Sequence, residues 1–285
     1  MNHSLKRLFS RALVALAASL PLASFAAGDE FPLDPFPVER LNDPAALQNG
    51  AKLFVNYCLS CHGASAMRYN RLQDIGLTDD QIKANLLFAG EKVGDLMTIA
   101  MRPADAKEWL GAMPPDLSLV ARSRASHAGS GADWLFTYLR SYYRDATRAT
   151  GWNNALFPNV GMPHVLWQLQ GARPATIEEV KAEGEHHFVR QVTHIDTNGV
   201  ATTESEPVEG HPHVGRTVRL GAPEGGTQSR AEFDSNVADL VAFMTYMADP
   251  TARTRTRLGV WVLLYLGVLF VAAWALNRAF WKDVR

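Results

Sequence analysis

The chain contains only two cysteines, and they stand three residues apart with a histidine directly after them, in the run Cys58-Leu59-Ser60-Cys61-His62. C-x-x-C-H is the attachment signature of a c-type haem. Each thiol adds to one vinyl group of the porphyrin, so the thiols must lie about one helical turn apart, and the adjacent histidine then ligates the iron. With both thiols used, no disulfide remains to crosslink the fold, and the haem itself must serve as a core element. We predict one covalent haem c on Cys58 and Cys61, with His62 as an axial ligand.

Three other uses of these residues have weaker support. A disulfide between Cys58 and Cys61 would need an oxidising compartment. A thioredoxin-like redox pair normally follows a strand in a βαβ pattern, and the sequence shows no such pattern. A zinc site would need two more ligands at motif spacing.

The N-terminus predicts a secretory signal peptide over residues 1–26. Residues 6–11 supply a positive charge cluster and residues 12–22 a short apolar run. In Ser24-Phe25-Ala26, Ser24 and Ala26 supply small side chains at the positions that a signal peptidase reads. The apolar run is too short to span a bilayer comfortably. We therefore expect cleavage after Ala26 and export to a bacterial periplasm.

The C-terminus predicts a single membrane-spanning helix over residues 258–276, a run of 19 residues without charge or proline. At helical rise this run covers roughly 28 Å, close to the hydrocarbon thickness. Three basic residues lie on each side, so the signal peptide must set the orientation. We expect a periplasmic cytochrome c domain (27–250), a linker (251–257), an anchor in the inner membrane and a cytoplasmic tail (277–285).

The exported residues 27–250 are acidic, with 28 Asp and Glu against 19 Lys and Arg, a net charge of −9. Such a charge favours a cationic partner by steering its approach, and it equally serves solubility. We expect no nucleic-acid partner.

Helix caps and apolar spacing predict a mainly α-helical domain around the haem. A polar, glycine-rich stretch over residues 183–233 predicts a β-containing or irregular excursion, with a hairpin turn at Asn198-Gly199. The helices are expected from Pro44 to Cys58, after the capping box at Thr78, over 103–110, over 132–143, more weakly over 174–182, and from about Ser235 to Pro250.

Sequence spacing alone does not identify the sixth ligand of the iron. Met244 and Met247 lie on the apolar stripe of a helix, where core packing is the simpler explanation. Met113 and Met162 are each followed by proline in a loop, and a weak thioether bond requires such a stiff segment. His164 follows closely enough to raise the alternative of histidine ligation.

The chain resembles the cytochrome c1 family, the haem subunits of ubiquinol–cytochrome c oxidoreductase (bc1) complexes. The order and spacing of several motifs match over nearly the whole mature chain, and a single C-terminal spanning segment follows them. These motifs are a Pro- and Phe-rich N-terminal segment, Cys58–His62, Met101-Arg102-Pro103, Pro114-Pro115-Asp116-Leu117-Ser118, Phe157-Pro158-Asn159-Val160-Gly161-Met162-Pro163 and Met247-Ala248-Asp249-Pro250.

The resemblance implies that Met162 is the second axial ligand and that Pro115 lines the haem pocket. It also implies that Arg124 pairs with a haem propionate, for which Arg122 is a close competitor. Two departures from the family are His164, which directly follows Pro163, and the long stretch over 183–233.

By the same resemblance, the chain takes electrons from a Rieske iron–sulfur protein, beside cytochrome b in a dimeric complex. It passes them to a soluble or membrane-bound cytochrome c. The complex is the enzyme, and this chain performs no bond-making catalysis of its own. The alternatives are a free-standing, membrane-anchored cytochrome that shuttles electrons and a haem enzyme with an open sixth site.

Overall fold

The computed structural model describes residues 31–99, 101–184, 187–210 and 212–283, and helices form the body of this part of the chain. Short 3-10 helices cover Val38–Asn42 and Tyr69–Ile75. The α-helices are α1 (Pro44–Tyr57), α2 (Asp79–Asn85), α3 (Pro103–Leu110), α4 (Val120–Ser123), α5 (Gly131–Arg140), α6 (Trp167–Gln170), α7 (Arg230–Ala248) and α8 (Ala252–Phe280). The strands are β1 (Ala64–Arg68), β2 (Leu96–Met97), β3 (Tyr142–Arg144), β4 (Trp152–Asn154), β5 (Gly171–Ala172), β6 (Ala175–Ala182), β7 (Phe188–Ile195), β8 (Ala201–Val208), β9 (Gly215–Leu220) and β10 (Glu224–Gly225).

The packing of α1 against α7 forms the centre of the main core. α1 begins where the Asp43 side chain accepts a hydrogen bond from the backbone N–H of Ala45 (2.9 Å), with proline at the first helical position. The rings of Phe54 and Phe243 meet between the two helices with their centroids 5.6 Å apart. The helices cross so closely that a Cβ at Gly50 would overlap the backbone carbonyl oxygen of Asp239.

Most of the predicted helices are confirmed, with shifts at their ends. The predicted helix over 132–143 is wrong at its end, because α5 stops at Arg140 and Tyr142 and Tyr143 pair with β4 in an antiparallel ladder. The last soluble helix begins five residues earlier than expected, at Arg230, since Ser229 and Glu232 form a capping box that the sequence analysis missed.

The predicted β-containing excursion is an antiparallel sheet in the order β8-β7-β6-β9. It begins earlier than residue 183, because β6 occupies Ala175–Ala182, so the weak helix predicted over 174–182 is wrong. β6 pairs along its length with β7 and with β9, and these two ladders outweigh its modest helical pattern. The expected turn at Asn198-Gly199 joins β7 to β8, with Gly199 at φ 88°. The end of the stretch, from Arg230 onward, is helical.

The base of this sheet rests on the helical body through a second, small core. Ala175 and Ile195 are buried there against Tyr143 and Ala155. The edge strand β8 is exposed along nearly its whole length.

The helix α8 is long and apolar enough to cross a membrane, with a mean hydropathy of 2.2 over its most apolar window. It already begins at Ala252, within the segment interpreted as a linker, and its apolar side chains are exposed. The predicted signal peptide lies outside the described residues.

Candidate haem site

The cysteine motif forms a tight turn at the end of α1. The N–H of Cys58 donates to the carbonyl of Phe54 (2.9 Å), and the N–H of His62 donates back to the carbonyl of Cys58 (2.8 Å). Both thiols are free, with Cys58 buried and Cys61 half-buried. Burial, reinforced by the neighbouring Cys61, raises the pKa of the Cys58 thiol to about 12, so this thiol is neutral at pH 7.

The imidazole of His62 is oriented by a backbone carbonyl. Its Nδ1 lies 2.7 Å from the carbonyl oxygen of Pro115. A carbonyl oxygen only accepts hydrogen bonds, so Nδ1 is the donor, and in the neutral imidazole this contact selects the tautomer with the lone pair on Nε2. Nε2 has no hydrogen-bond partner in the part of the chain that the structure describes. A neutral imidazole with one nitrogen fixed in this way is the form in which histidine ligates a metal.

The loop that carries Pro115 is fastened to the chain that follows His62. The carboxylate of Asp116 accepts hydrogen bonds from the N–H of Ser65 (2.7 Å) and from that of Ser118 (2.8 Å). Ser118 Oγ in turn accepts from the N–H of Ala66 (2.9 Å). Partial burial alone would raise the pKa of Asp116, but the hydrogen bonds from Ser118 and Ser65 outweigh it and hold the pKa below its ordinary value.

Asp116 and Ser118 therefore position His62 through Pro115, a role that the sequence analysis missed. The signal was present in Pro114-Pro115-Asp116-Leu117-Ser118, because an aspartate two residues before a serine often forms a side-chain turn of this kind. What the sequence did not show is that the partner segment is the one directly after the cysteine motif.

Met162 lies at the edge of the main core, held by two tyrosines of α5 and β3. The hydroxyl of Tyr138 lies 3.5 Å from its Sδ, and the hydroxyl of Tyr142 donates to its backbone carbonyl (3.3 Å). The competing Met113 is 44% exposed and has no such support. Met244 is buried in the main core, as the packing explanation predicts. The surroundings thus favour Met162 as the methionine ligand.

His164, which the sequence left open as an alternative ligand, is buried with its ring engaged on several sides. Its Nε2 lies 2.7 Å from Oε1 of Gln170. The ring stacks on Tyr142 at 4.7 Å and 6°, and Trp152 meets it edge-on at 5.0 Å. Burial lowers the pKa of His164 to about 4. Nε2 and one ring face of His164 are therefore already engaged inside the core, which disfavours histidine ligation.

Arg124 lies over aromatic rings and has no carboxylate partner among the residues that the structure describes. Its guanidinium carbon is 4.4 Å from the ring centroid of Trp134 and 5.9 Å from that of Phe157. The hydrogen bond from Arg255 lowers the pKa of Asp249 near the end of α7, and the charge of the competing Arg122 adds to this effect. An unpaired guanidinium on the Met162 side of the domain suits a propionate better than Arg122 does.

These residues fit a covalently attached c-type haem. Two free thiols stand at the attachment spacing, Nε2 of the adjacent imidazole has no hydrogen-bond partner among the described residues, and a supported thioether and an unpaired arginine complete the set.

Comparisons with known proteins agree with this site. The sequence profile of the Cytochrome C1 family matches residues 37–173 and 224–284. The unmatched residues between these two ranges contain the whole sheet from β6 to β9. We call the sheet β6–β9 the added sheet, because the family profile does not match it.

Curated relatives match over most of the chain. The cytochrome c1 of Allochromatium vinosum is 41% identical over 86% of this chain and 86% of its own length. A protein of Nitrosomonas europaea named ammonia monooxygenase gamma subunit is 40% identical over 93% of this chain and 94% of its own. The cytochrome c1 of Rhodospirillum rubrum is 28% identical over 85% of this chain and 83% of its own. On the match of the family profile and of these relatives, the chain belongs to the cytochrome c1 family.

Proposed function

We propose that this chain carries one haem c, attached through Cys58 and Cys61 and ligated by His62 and Met162, and that it is the haem subunit of a bc1 complex. Membership in the cytochrome c1 family supports a haem electron-transfer subunit. The single observation that carries the site is the contact of His62 Nδ1 with the Pro115 carbonyl (2.7 Å), because it leaves Nε2 free to ligate beside two free thiols.

A bound haem c supplies one-electron redox chemistry at its iron. The residues of this chain hold the ligands in fixed positions: Pro115 orients the ring of His62, and Asp116 fixes the loop that carries Pro115. Tyr142 holds the backbone of Met162, and proline follows that methionine. Two protein ligands leave no position for a substrate, which suits electron transfer and disfavours a haem enzyme with an open sixth site.

Arg124 is the proposed partner of a haem propionate. Its guanidinium is planar, is already positioned by the Trp134 ring at 4.4 Å, and suits two parallel hydrogen bonds to a carboxylate. The cation also offsets the negative charge that the propionates add to an already acidic domain.

Bacterial homologues and the apolar helix α8 fit a membrane-anchored protein. We place the domain over residues 27–250 in the periplasm, exported by the signal peptide at 1–26, and α8 in the inner membrane. In this position the chain would receive electrons from a Rieske subunit beside cytochrome b, in a dimeric complex. It would pass them to a soluble or membrane-bound cytochrome c, and the net charge of −9 over residues 27–250 would attract a cationic acceptor.

The competing proposal is a membrane-anchored cytochrome outside any bc1 complex. One observation supports this alternative: a relative that is 40% identical is named as a subunit of ammonia monooxygenase. Purification of the full chain from its native membranes in mild detergent separates the two. Co-purification of a cytochrome b and a Rieske protein in stoichiometric amounts supports the bc1 assignment, and isolation of the haem protein without them overturns it.

The ligand assignment is tested by Met162→Leu with Met113→Leu as the matched control. We expect the Met162 variant to lose the near-infrared band of methionine-ligated ferric haem and to show a lower midpoint potential, because the thioether ligand raises the potential. The Met113 variant should keep both properties. The reverse pattern would assign the ligand to Met113.

A further inference from the structure

A cavity of about 140 Å³ lies where α5, the start of α7 and the base of the added sheet meet, apart from the proposed haem ligands. Its walls carry three arginines and two aspartates together with the amide of Gln228. These charged residues are Arg140, Arg173, Arg230, Asp34 and Asp234. The cavity therefore carries one more positive than negative side chain.

Both carboxylates are already used by one of the three arginines. Arg140 donates through Nη1 to Asp34 (2.8 Å) and through Nε to Asp234 (2.7 Å), and its side chain is only 15% exposed. Arg230 reaches Asp234 at a much longer 3.9 Å and forms the open rim of the cavity, with its side chain 73% exposed. The aspartates thus neutralise Arg140 and part of Arg230.

Arg173 has no ion-pair partner among the described residues, and Asp234 and Asp34 offset its charge only from a distance. It donates only to neutral carbonyl oxygens, through Nε to Gly221 (2.9 Å) and through Nη1 to Arg140 (2.8 Å). A guanidinium has five N–H groups, so three of them, including both on Nη2, have no partner among the described residues. Burial, and then the charges of Arg230 and Arg140, lower the pKa of Arg173 to about 10. An anion bound beside Arg173 would stabilise its charged form and so offset both the burial and the repulsion from the other two arginines.

A second unsatisfied group belongs to the same cavity. Oε1 of Gln228 is buried and has no hydrogen-bond partner in the described structure. A side-chain amide can be turned by 180°, which would present its NH₂ group instead of its oxygen. The cavity wall would then offer amide donors beside the unused donors of Arg173.

We propose that this cavity binds a small oxyanion, of the size of phosphate or a short carboxylate, through Arg173, Arg230 and Gln228. The volume admits such an ion or a few water molecules. Arginine is the side chain best suited to bind oxyanions by paired hydrogen bonds.

We assign the anion to the soluble phase and not to a lipid headgroup. The cavity adjoins the first turn of α7, whereas the last turn of α7 leads directly into the spanning helix α8. A helix of the length of α7 separates its two ends by roughly 28 Å, about the thickness of a bilayer core.

The proposal is tested by titrating inorganic phosphate into the full-length holoprotein in detergent by calorimetry, with chloride adjusted to constant ionic strength so that general screening does not change. We expect one saturable site per chain. Arg173→Gln should weaken binding at least tenfold, since hydrogen bonds to a charged group account for that much affinity.

Because Arg173 also holds two carbonyls, Arg230→Gln and Gln228→Leu serve as second variants that remove no short hydrogen bond, and each should weaken binding severalfold. Arg219→Gln is the matched control, since Arg219 is 73% exposed, lies outside the cavity and reaches only Glu178, at 3.6 Å. The phosphate affinity of the Arg219→Gln variant should equal that of the wild-type protein.

Absence of saturable phosphate binding to the wild-type protein would overturn the proposal, as would an equal loss in the Arg219 variant. A second binding experiment uses phosphatidylglycerol vesicles in place of phosphate. Vesicle binding that depends on Arg173 would overturn the assignment to a soluble anion, and vesicle binding that is indifferent to Arg173 supports it.

Discussion

Burial of His164 makes the stability of the domain depend on pH. In the folded state burial lowers its pKa to about 4, against an ordinary 6.5 in the unfolded chain. Between these values the unfolded state is protonated at this residue and the folded state is not. The unfolded state therefore binds more protons, and the free energy of unfolding must fall as the pH falls below about 6.5.

The size of this effect follows from the shift. Each pKa unit corresponds to about 1.4 kcal/mol. His164 should therefore lower the free energy of unfolding by about 2 kcal/mol between pH 7 and pH 5, and by about 3 kcal/mol between pH 7 and pH 4. Solvent screening reduces this little, because the side chain is only 2% exposed.

The assay compares denaturant unfolding of the holoprotein and of His164→Phe from pH 7 to pH 4. Phenylalanine keeps the stack on Tyr142 but does not titrate. It should be less stable at pH 7 by about 1–3 kcal/mol, since Gln170 loses its partner. The difference should shrink as the pH falls and vanish near pH 5. If both proteins lose stability in parallel over this range, the argument from burial is refuted.

Two further predictions concern packing and the added sheet. Gly50→Ala should destabilise the domain by about 2 kcal/mol or more, because its Cβ would overlap the carbonyl of Asp239, whereas Gly94→Ala, which meets nothing within 4 Å, should have little effect on the unfolding midpoint. Replacement of residues 174–223 by a short glycine-containing turn should keep the haem absorbance spectrum, because β5 and β10 pair antiparallel and bring the cut ends together. Loss of bound haem in the second variant would show instead that the sheet is needed to form the site.

Local signals predicted elements well wherever one short segment carried all the information. The Asp43-Pro44 pair and the capping box at Thr78 predicted the starts of α1 and α2, which the structure confirms. The apolar run at the C-terminus predicted a spanning helix, and α8 meets that criterion. Such signals hold because a cap or a long apolar stretch acts within one turn or along one helix.

The failures occurred where distant residues decide the outcome. Residues 174–182 have a weak helical pattern, yet they form a strand because partners on both sides complete its hydrogen bonds. His164 remained open as an alternative ligand because it lies beside Met162 in the sequence, and only the fold shows that Tyr142 and Gln170 contact its ring inside the core. Neither partner set could be read from the neighbouring sequence.

The sequence by itself determined the attachment motif, the family resemblance and the apolar segment at the C-terminus, because each depends on residue types at short spacing. Only the tertiary structure decided which nitrogen of His62 donates a hydrogen bond, since that follows from a carbonyl 53 residues away. It alone also revealed that Arg173 has no ion-pair partner among the described residues, because the charges around that residue come from segments that are far apart in the chain. Hydrogen bonds and charges act through space, so the chemistry of a site is complete only when the fold has brought its parts together.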